Sequence, residues 1–245
     1  MRSLAWSALV GASFLLFSLN ASPANAQQPG PRTYVDFKVG PISPGELPTN
    51  WNGYTLDDAF NQRSLALIDE IGHASGLTFR FHKPSSGASA GAQNQPIPTT
   101  VAPIGPPDVT QFGENLTLQQ AGEALEIIGL VPNLKYDFWL LTWAYRANFA
   151  QPMNLSVSGV SGLSQIITPE NTFLAINGVS TDTSHTFSSY ATRVTALPSG
   201  QMTIQTNGGS FTGVYGLAIQ PIPEPASALA AAGVVLLRIS RRRRS

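Results

Sequence analysis

The sequence has no cysteine, and this absence excludes several classes of site and fold. None of its 245 residues is Cys, so disulfide frameworks, thiolate nucleophiles and cysteine-ligated zinc are ruled out. Lipid attachment to an N-terminal cysteine is excluded for the same reason. The stability of the fold must therefore come from an apolar core.

Positive charge is scarce in the middle of the chain, although the formal charge of the whole sequence is zero. Residues 27–222 contain eight Lys and Arg against thirteen Asp and Glu, a net charge of about −5. Arg2 and five arginines near the C-terminus supply the balance. An acidic domain argues against nucleic acid or anionic lipid as its partner, so no nucleic-acid partner is expected.

Helical periodicity is also lacking in residues 27–222, where short apolar or alternating runs are bounded by Gly, Pro, Asn and Ser. This pattern predicts an all-β fold. The predicted strands are 33–39, 64–71, 77–82, 116–120, 124–130, 136–146, 153–160, 172–178, a short strand around His185, 190–197, 201–206 and 214–220. So many strands imply two packed antiparallel sheets, a β-sandwich of jelly-roll type. The last three strands are expected to form an antiparallel meander.

A Pro-, Ser- and Gly-rich segment, residues 84–107, interrupts this pattern. Its six prolines deny donors to a strand ladder, so we expect a long exposed loop inside one domain. A domain boundary is the alternative. The part before it, however, is short for an independent core.

The sequence LVPNLKYDF resembles a tyrosine corner. Leu130, Pro132 and Tyr136 are spaced so that the tyrosine hydroxyl can bond to upstream backbone at a sandwich edge. The motif is similar to that of fibronectin type III domains, which are about half as long as residues 27–222. The wider strand pattern is more similar to galactose-binding-like and carbohydrate-module jelly rolls, and this resemblance implies the jelly-roll type.

The strand 136–146 is apolar on both faces, because its side chains alternate. If Tyr136 faces the core, then Trp139, Trp143 and Tyr145 face the other way and are candidates for stacking on sugars. The alternative, which we favour, is a central strand covered on both sides, with the tryptophans packed under the Pro-rich segment. Trp51 and Tyr54, in the loop-like PTNWNGYT, are a second candidate pair for binding a ligand.

Residues with catalytic or metal-binding chemistry are few and poorly spaced. Gly87-Ala88-Ser89-Ala90-Gly91 matches G-x-S-x-G, but no strand and helix flank it. The other candidates are Asp57, Asp58, Asp69, Glu70, His73, His82 and His185. No H-x-x-x-H or H-E-x-x-H spacing occurs, so neither a catalytic set, a metal site nor a cofactor is predicted. Loop carboxylates and carbonyls would suit a structural calcium ion, although no D-x-D-x-D-G ladder supports one.

The N-terminus has the three regions of a secretory signal. Arg2 precedes the apolar run Leu4 to Leu19, and Ala24 and Ala26 form an A-x-A cleavage site. We predict a signal helix in residues 1–26 and a mature chain beginning at Gln27. An uncleaved N-terminal anchor is the alternative.

The C-terminus combines a proline motif, a short apolar run and a basic cluster. Residues 226–237 would span about 18 Å as a helix, well short of the roughly 30 Å of a bilayer core. Arginines at the end of such a segment stay cytoplasmic. The residues of the motif are Pro223, Glu224, Pro225, Arg241, Arg242, Arg243 and Arg244.

These C-terminal features resemble a PEP-CTERM sorting signal, residues 223–245. The resemblance implies processing by exosortase in a bacterium that makes extracellular polysaccharide, with transient anchoring in the inner membrane. We therefore expect an exported, non-enzymatic protein of the cell envelope, cell surface or extracellular matrix that binds polysaccharide. The alternatives are a carbohydrate-active hydrolase or lyase, and a passive structural subunit with an exposed sheet edge.

Overall fold

The computed structural model describes residues 29–83, 91–94, 96–112, 114–118, 122–144, 153–206 and 212–223. In these residues the fold is all-β, with one short α-helix, α1 (Leu56–Phe60), and two single 3-10 turns, Val109–Gln111 and Phe187–Tyr190. The strands are β1 (Thr33–Lys38), β2 (Asn52–Thr55), β3 (Ser64–Ile68), β4 (Ala74–His82), β5 (Gly91–Asn94), β6 (Glu114–Leu118), β7 (Ala124–Ile128), β8 (Lys135–Ala144), β9 (Met153–Ser158), β10 (Val160–Ser161), β11 (Gln165–Thr168), β12 (Thr172–Ile176), β13 (Val179–Ser180), β14 (Thr192–Ala196), β15 (Gln201–Thr206) and β16 (Thr212–Ile222).

The strands form two sheets that pack as a sandwich, which confirms the predicted all-β, two-sheet architecture. The ten-stranded sheet has the order β10-β14-β8-β16-β1-β2, with β12 and β13 joined to β8 and with β6 and β5 joined to β16. The six-stranded sheet has the order β11-β9-β15-β7-β4-β3. Neighbouring strands are antiparallel except β1 and β2, which are parallel.

The side chains of β8 divide between two apolar layers. Tyr136, Phe138 and Leu140 enter the core between the sheets, whereas Trp139 and Trp143 enter a second cluster on the outer face of the ten-stranded sheet. This division follows from the alternation of side chains along a strand. It confirms the prediction that β8 is covered on both faces.

Part of the Pro-rich segment covers the outer face. Ile97 is buried in the same cluster as the tryptophans of β8, and Val101 and Ala102 pack against that cluster. Val109 and Phe112, just after the segment, are buried in the same cluster. The Thr181 hydroxyl fastens this cover, because it donates to Val101 O at 2.6 Å. The prediction of an exposed loop over 84–107 is therefore wrong for Ile97, Pro103 and Pro107, which are buried, since an apolar sheet face needs a partner that excludes water. Residues 99–100 and 104–106 are exposed, as predicted. β5 also lies within the predicted loop.

The tyrosine corner is confirmed. The hydroxyl of Tyr136 accepts a hydrogen bond of 2.9 Å from Val131 N, five residues upstream. The tyrosine ring is buried in the core between the sheets. Burial and this single bond together hold the turn before β8 against the end of the sandwich.

The predicted meander of the last three strands is wrong. β14 pairs with β8, β15 lies between β7 and β9 in the other sheet, and β16 returns to β8. The connection through Pro198 and Gly200 therefore crosses between sheets, and Gly200 O accepts from Gly129 N at 3.0 Å and from Leu130 N at 2.9 Å. A turn signal specifies a reversal of the chain, not the sheet that receives the next strand.

Several strands were missed or misplaced at the level of sequence. β2 lies in a stretch predicted as loop, and β10, β11 and β13 were not predicted. The segment around His185 forms no strand of the ladder, since Thr186 makes one isolated bridge and a 3-10 turn follows. The signal helix in 1–26 and the apolar segment 226–237 lie outside the described residues. Within the described part of the chain, no helix has the length and apolar character needed to cross a membrane.

Candidate functional site

The partly exposed aromatic ring of Trp51 marks the candidate site. Trp51 immediately precedes β2, and its ring stacks on Tyr34 of β1 at a centroid distance of 4.9 Å and an interplanar angle of 20°. The indole also packs against the ring of Phe112, at a centroid distance of 4.5 Å. Part of Trp51 stays accessible to solvent, in contrast to the buried Tyr34 and Phe112.

Arg32 lies beside this aromatic pair, immediately before β1. Its guanidinium donates to Ser188 Oγ at 2.8 Å, to Gln220 Oε1 at 3.2 Å and to Tyr34 Oη at 3.4 Å. The guanidinium carbon lies 5.2 Å from the centre of the Trp139 ring, within the range of a cation–π contact. Arg32 therefore has a fixed orientation, although it is only half-buried.

Glu70 closes the site from the six-stranded side. One carboxylate oxygen accepts from the backbone N of Arg32 at 3.0 Å, and the other accepts from Tyr34 Oη at 3.4 Å. Burial raises the pKa of the Tyr34 hydroxyl above its usual value, and the Glu70 charge adds to this rise. The surface formed by these side chains is called the Arg32–Trp51 patch, and it consists of Arg32, Tyr34, Trp51, Glu70, Ser188 and Gln220.

The other aromatic residues predicted to bind a ligand are buried where the structure describes them. Trp139 is 1% exposed, stacks on Phe187 at 5.2 Å and donates its Nε1 hydrogen to Phe187 O at 3.0 Å. Trp143 is 5% exposed. Neither ring presents a face to solvent, because Phe187 and Arg32 lie against Trp139, and Trp143 is buried in the same cluster as Ile97, Val109 and Phe112. Tyr145 lies outside the described residues.

Tyr54 lies in the protein core and not at the surface. It is 1% exposed in the core between the sheets. Its hydroxyl donates to Arg63 O at 2.8 Å and accepts from Phe81 N at 3.1 Å. Burial raises the pKa of Tyr54 to about 12. The sequence around Trp51 and Tyr54 was predicted as one loop, but strand alternation turns the two rings to opposite faces.

The acidic and histidine candidates do not gather in one cleft. Asp57 and Asp58 lie on α1, where both approach Arg63 at 3.1 and 3.4 Å. Asp69 lines a cleft of about 260 Å³ at the end of the sandwich beside Tyr136. In that position its carboxylate accepts from Ile71 N and His73 N, so it shapes the hairpin between β3 and β4.

His185 belongs to a separate, shallow cleft. Its Nδ1 lies 2.8 Å from Asp182 Oδ1 and 3.0 Å from Ser184 Oγ. In a catalytic triad the carboxylate and the nucleophile contact opposite ring nitrogens. Here both contact the same nitrogen within one turn, so this arrangement does not relay a proton from the serine. The hydrogen bonds from Ser184 and His185 hold the pKa of Asp182 well below its usual range.

A buried ion pair lies further along β1. Asp36 is fully buried, and its carboxylate is 3.2 Å from Lys38 Nζ, which is also 3.8 Å from Glu46. Burial raises the pKa of Asp36 to about 7, and the charge of Lys38 offsets only part of this effect. Perturbed acids are common at active sites, but they also occur in structural pairs. No group of three or more potential metal ligands occurs in the described residues.

Of the residues in the Arg32–Trp51 patch, the sequence indicated Trp51 as a candidate for binding a ligand but did not indicate Arg32, Tyr34, Glu70, Ser188 or Gln220 for this role. These residues come from distant parts of the chain, and Arg32 and Ser188 are 156 residues apart. An arginine following a proline carries no local signal of a site. The set is brought together by the pairing of β1 with β16, by the 3-10 turn Phe187–Tyr190 and by the hairpin between β3 and β4 that carries Glu70.

Comparison with known proteins adds little. No family model and no curated protein matches the chain. A catalytic domain of a GH87 alpha-1,3-glucanase in complex with tetrasaccharides is 14% identical over 61% of this chain, with a TM-score of 0.28. The enzymatically active domain of tailspike protein 4 of bacteriophage CBA120 is 12% identical over 59%, also with a TM-score of 0.28. The chain spans 28% and 18% of these two chains, and similarity this low establishes no shared activity.

Proposed function

We propose that the chain is an exported, non-enzymatic protein of the bacterial envelope or extracellular matrix, sorted by exosortase, whose sandwich binds polysaccharide through the Arg32–Trp51 patch. The sandwich in this proposal is of the jelly-roll type found in galactose-binding-like modules. The observation that carries the binding function is the placement of a partly exposed indole beside a fixed guanidinium. Sugar sites commonly combine an apolar ring with a few convergent polar groups.

The patch offers several of the contacts that a sugar needs. The exposed part of Trp51 gives an apolar surface for C–H groups, and its support by Tyr34 and Phe112 fixes the ring before a ligand arrives. Rigid placement lowers the entropy lost on binding. Arg32, Glu70 and Ser188 then supply donors and acceptors for hydroxyl groups at the edge of the ring.

The scattered acids support a non-enzymatic function over a hydrolase or lyase. Glycoside hydrolysis needs two carboxyl groups flanking one bond. In the described residues Asp58 is paired with Arg63 and Asp69 is used in a turn, whereas Glu70 alone adjoins the patch.

The edges of the six-stranded sheet count against a passive structural subunit that polymerises by pairing of these edges. Asn52 caps one end of the outer edge of β3, because its side chain both donates to Ile68 O and accepts from Ile68 N at 2.8 Å. Gly178 lies against the edge of β11, where a Cβ on this glycine would come within 2.6 Å of Ile167 O. Both edges are thus partly obstructed within the described chain, a common protection against edge pairing.

Retention of the purified domain 27–222 on a panel of immobilised polysaccharides, neutral and acidic, tests the binding function. We expect at least one matrix to retain the wild type and Trp51→Ala to lose that retention while keeping its unfolding transition. Asn154→Ala, an exposed change on β9 in the other sheet, is the matched control. No retention of the wild type on any matrix would overturn the binding function.

Intact-mass analysis of the protein from the producing cell tests export and sorting. The expected mature species begins at Gln27 and lacks everything beyond Pro225. A species that keeps Arg241 to Arg244 would contradict processing by exosortase. Full-length protein in the cytosol would contradict export itself.

A further inference from the structure

Arg32 differs from the other arginines that the structure describes in having no carboxylate partner. Arg63 pairs with Asp57 and Asp58, Arg80 with Glu126, and Arg193 with Asp137. No such pair is found for the guanidinium of Arg32 among the described residues, and its acceptors are the neutral oxygens of Ser188, Gln220 and Tyr34. The Glu70 carboxylate reaches the guanidinium only through the Tyr34 hydroxyl, so the charge of this half-buried cation is compensated only in part.

The guanidinium is also held ready for a ligand. A guanidinium has five N–H donors, and three bonds to the protein leave two of them available. Contact with the ring of Trp139 and the bond to Ser188 fix its plane. Arginine in a fixed plane suits a carboxylate, because two parallel N–H groups can reach its two oxygens.

The position of Arg32 relative to Trp51 suggests which carboxylate it takes. Both side chains contact Tyr34, the indole by stacking on the ring and the guanidinium by hydrogen bonding to the hydroxyl. A sugar placed against Trp51 would therefore have its substituents within reach of Arg32. An acidic sugar carries a carboxylate on such a substituent.

We propose that Arg32 binds the carboxylate of a uronic acid residue, so that the ligand of the patch is an acidic polysaccharide. This inference rests on the proposed polysaccharide binding and specifies its ligand. The net charge of about −5 in residues 27–222 repels a polyanion more strongly the more charges it carries per sugar. Recognition of individual uronate carboxylates by one local cation is compatible with that repulsion, whereas attraction of a highly sulfated chain is not.

Glu70 limits the affinity for the carboxylate. Its charge lies beside the patch, where it accepts from Arg32 N and Tyr34 Oη. Glu70→Gln keeps an oxygen for the backbone N–H and removes the negative charge. The variant should therefore show a larger preference for the acidic ligand over the neutral one than the wild type does.

Two polymers that share the same sugar backbone but differ in free carboxylates isolate the contribution of the carboxylate to binding. Binding of the domain to polygalacturonate is compared with binding to its fully methyl-esterified form by calorimetry. We expect the wild type to prefer the acid form about tenfold, which corresponds to about 1.4 kcal/mol. Arg32→Gln should abolish that preference. Arg193→Gln removes the same charge from a paired, exposed arginine and should leave the preference intact.

The Arg32→Gln result is interpreted only with a thermal unfolding transition like that of the wild type, because Arg32 covers Trp139. If that variant fails to fold, the rise in acid preference of Glu70→Gln decides the question. Equal binding of both polymers by the wild type overturns the uronate inference and leaves polysaccharide binding in place. Absence of binding to both also overturns it, whereas the proposed function fails only if the wider panel shows no retention.

Discussion

The side chain of Asn177 should contribute more to the free energy of unfolding than the side chain of a typical surface asparagine does. Asn177 begins the two-residue turn between β12 and β13 and has a positive φ of 52°. Its Oδ1 accepts from Leu140 N at 2.9 Å, and its Nδ2 donates to Phe138 O at 2.7 Å. Nδ2 also lies 3.1 Å from Tyr190 O and from Thr192 Oγ1. The amide thus fills the gap on the edge of β8 between β12 and β14.

Asn177→Ala should lower the free energy of unfolding by about 4 kcal/mol. Losing the partners of Leu140 N and Phe138 O costs about 1–3 kcal/mol for each group left unsatisfied, and the lower half of that range applies to a half-buried site. Alanine at a left-handed φ adds about 1 kcal/mol, because its Cβ is crowded there and its side chain cannot form a local hydrogen bond. Urea denaturation of the domain, followed by tryptophan fluorescence and by far-UV circular dichroism, measures the change.

Three further variants separate these contributions. Asn177→Gly keeps the left-handed turn, so it should cost about 1 kcal/mol less than the alanine change. Asn171→Ala is the matched control, because Asn171 also has a positive φ, of 54°, but is exposed in a turn where its side chain bonds to none of the described residues. Asn177→Asp keeps the acceptor and replaces the donor with an oxygen facing Phe138 O. Equal losses for Asn177→Ala and Asn171→Ala would refute the assignment.

Two further predictions concern ionisation and the tyrosine corner. Burial raises the pKa of Asp36 from 3.8 to about 7, so its contribution to stability is present below pH 4 and lost as the pH rises to 7. Asp36→Asn should therefore reduce the loss of stability between pH 4 and pH 8 by up to about 4 kcal/mol. Urea denaturation measures this difference. If the curves of the variant and the wild type shift in parallel from pH 4 to 8, Asp36 does not titrate as stated. Tyr136→Phe removes the bond to Val131 N and should cost about 1 kcal/mol with the m-value unchanged, whereas a loss below 0.3 kcal/mol in the same assay would mean that burial of the ring alone holds the corner.

The Arg32–Trp51 patch shows which site residues the local sequence could indicate and which it could not. Trp51 could be selected because an aromatic residue in polar, Gly- and Asn-containing sequence often has a surface function. The partners of Arg32 could not be selected, because Ser188 and Gln220 reach it only through the chain's return in β16 and in the 3-10 turn before β14. Tyr54, three residues after Trp51, appeared equivalent in sequence but has no access to solvent.

The sequence by itself determined the all-β class, the two faces of β8 and the bond of the tyrosine corner. These depend on alternation and on a short spacing, which are local properties of the chain. Tertiary structure decided which sheet receives each of the last three strands, which further segments join the Pro-rich segment over the tryptophans, and that the guanidinium of Arg32 forms no ion pair with a carboxylate of the described residues. Each of these depends on which distant segments exclude water from the same surface, and no local pattern encodes that choice.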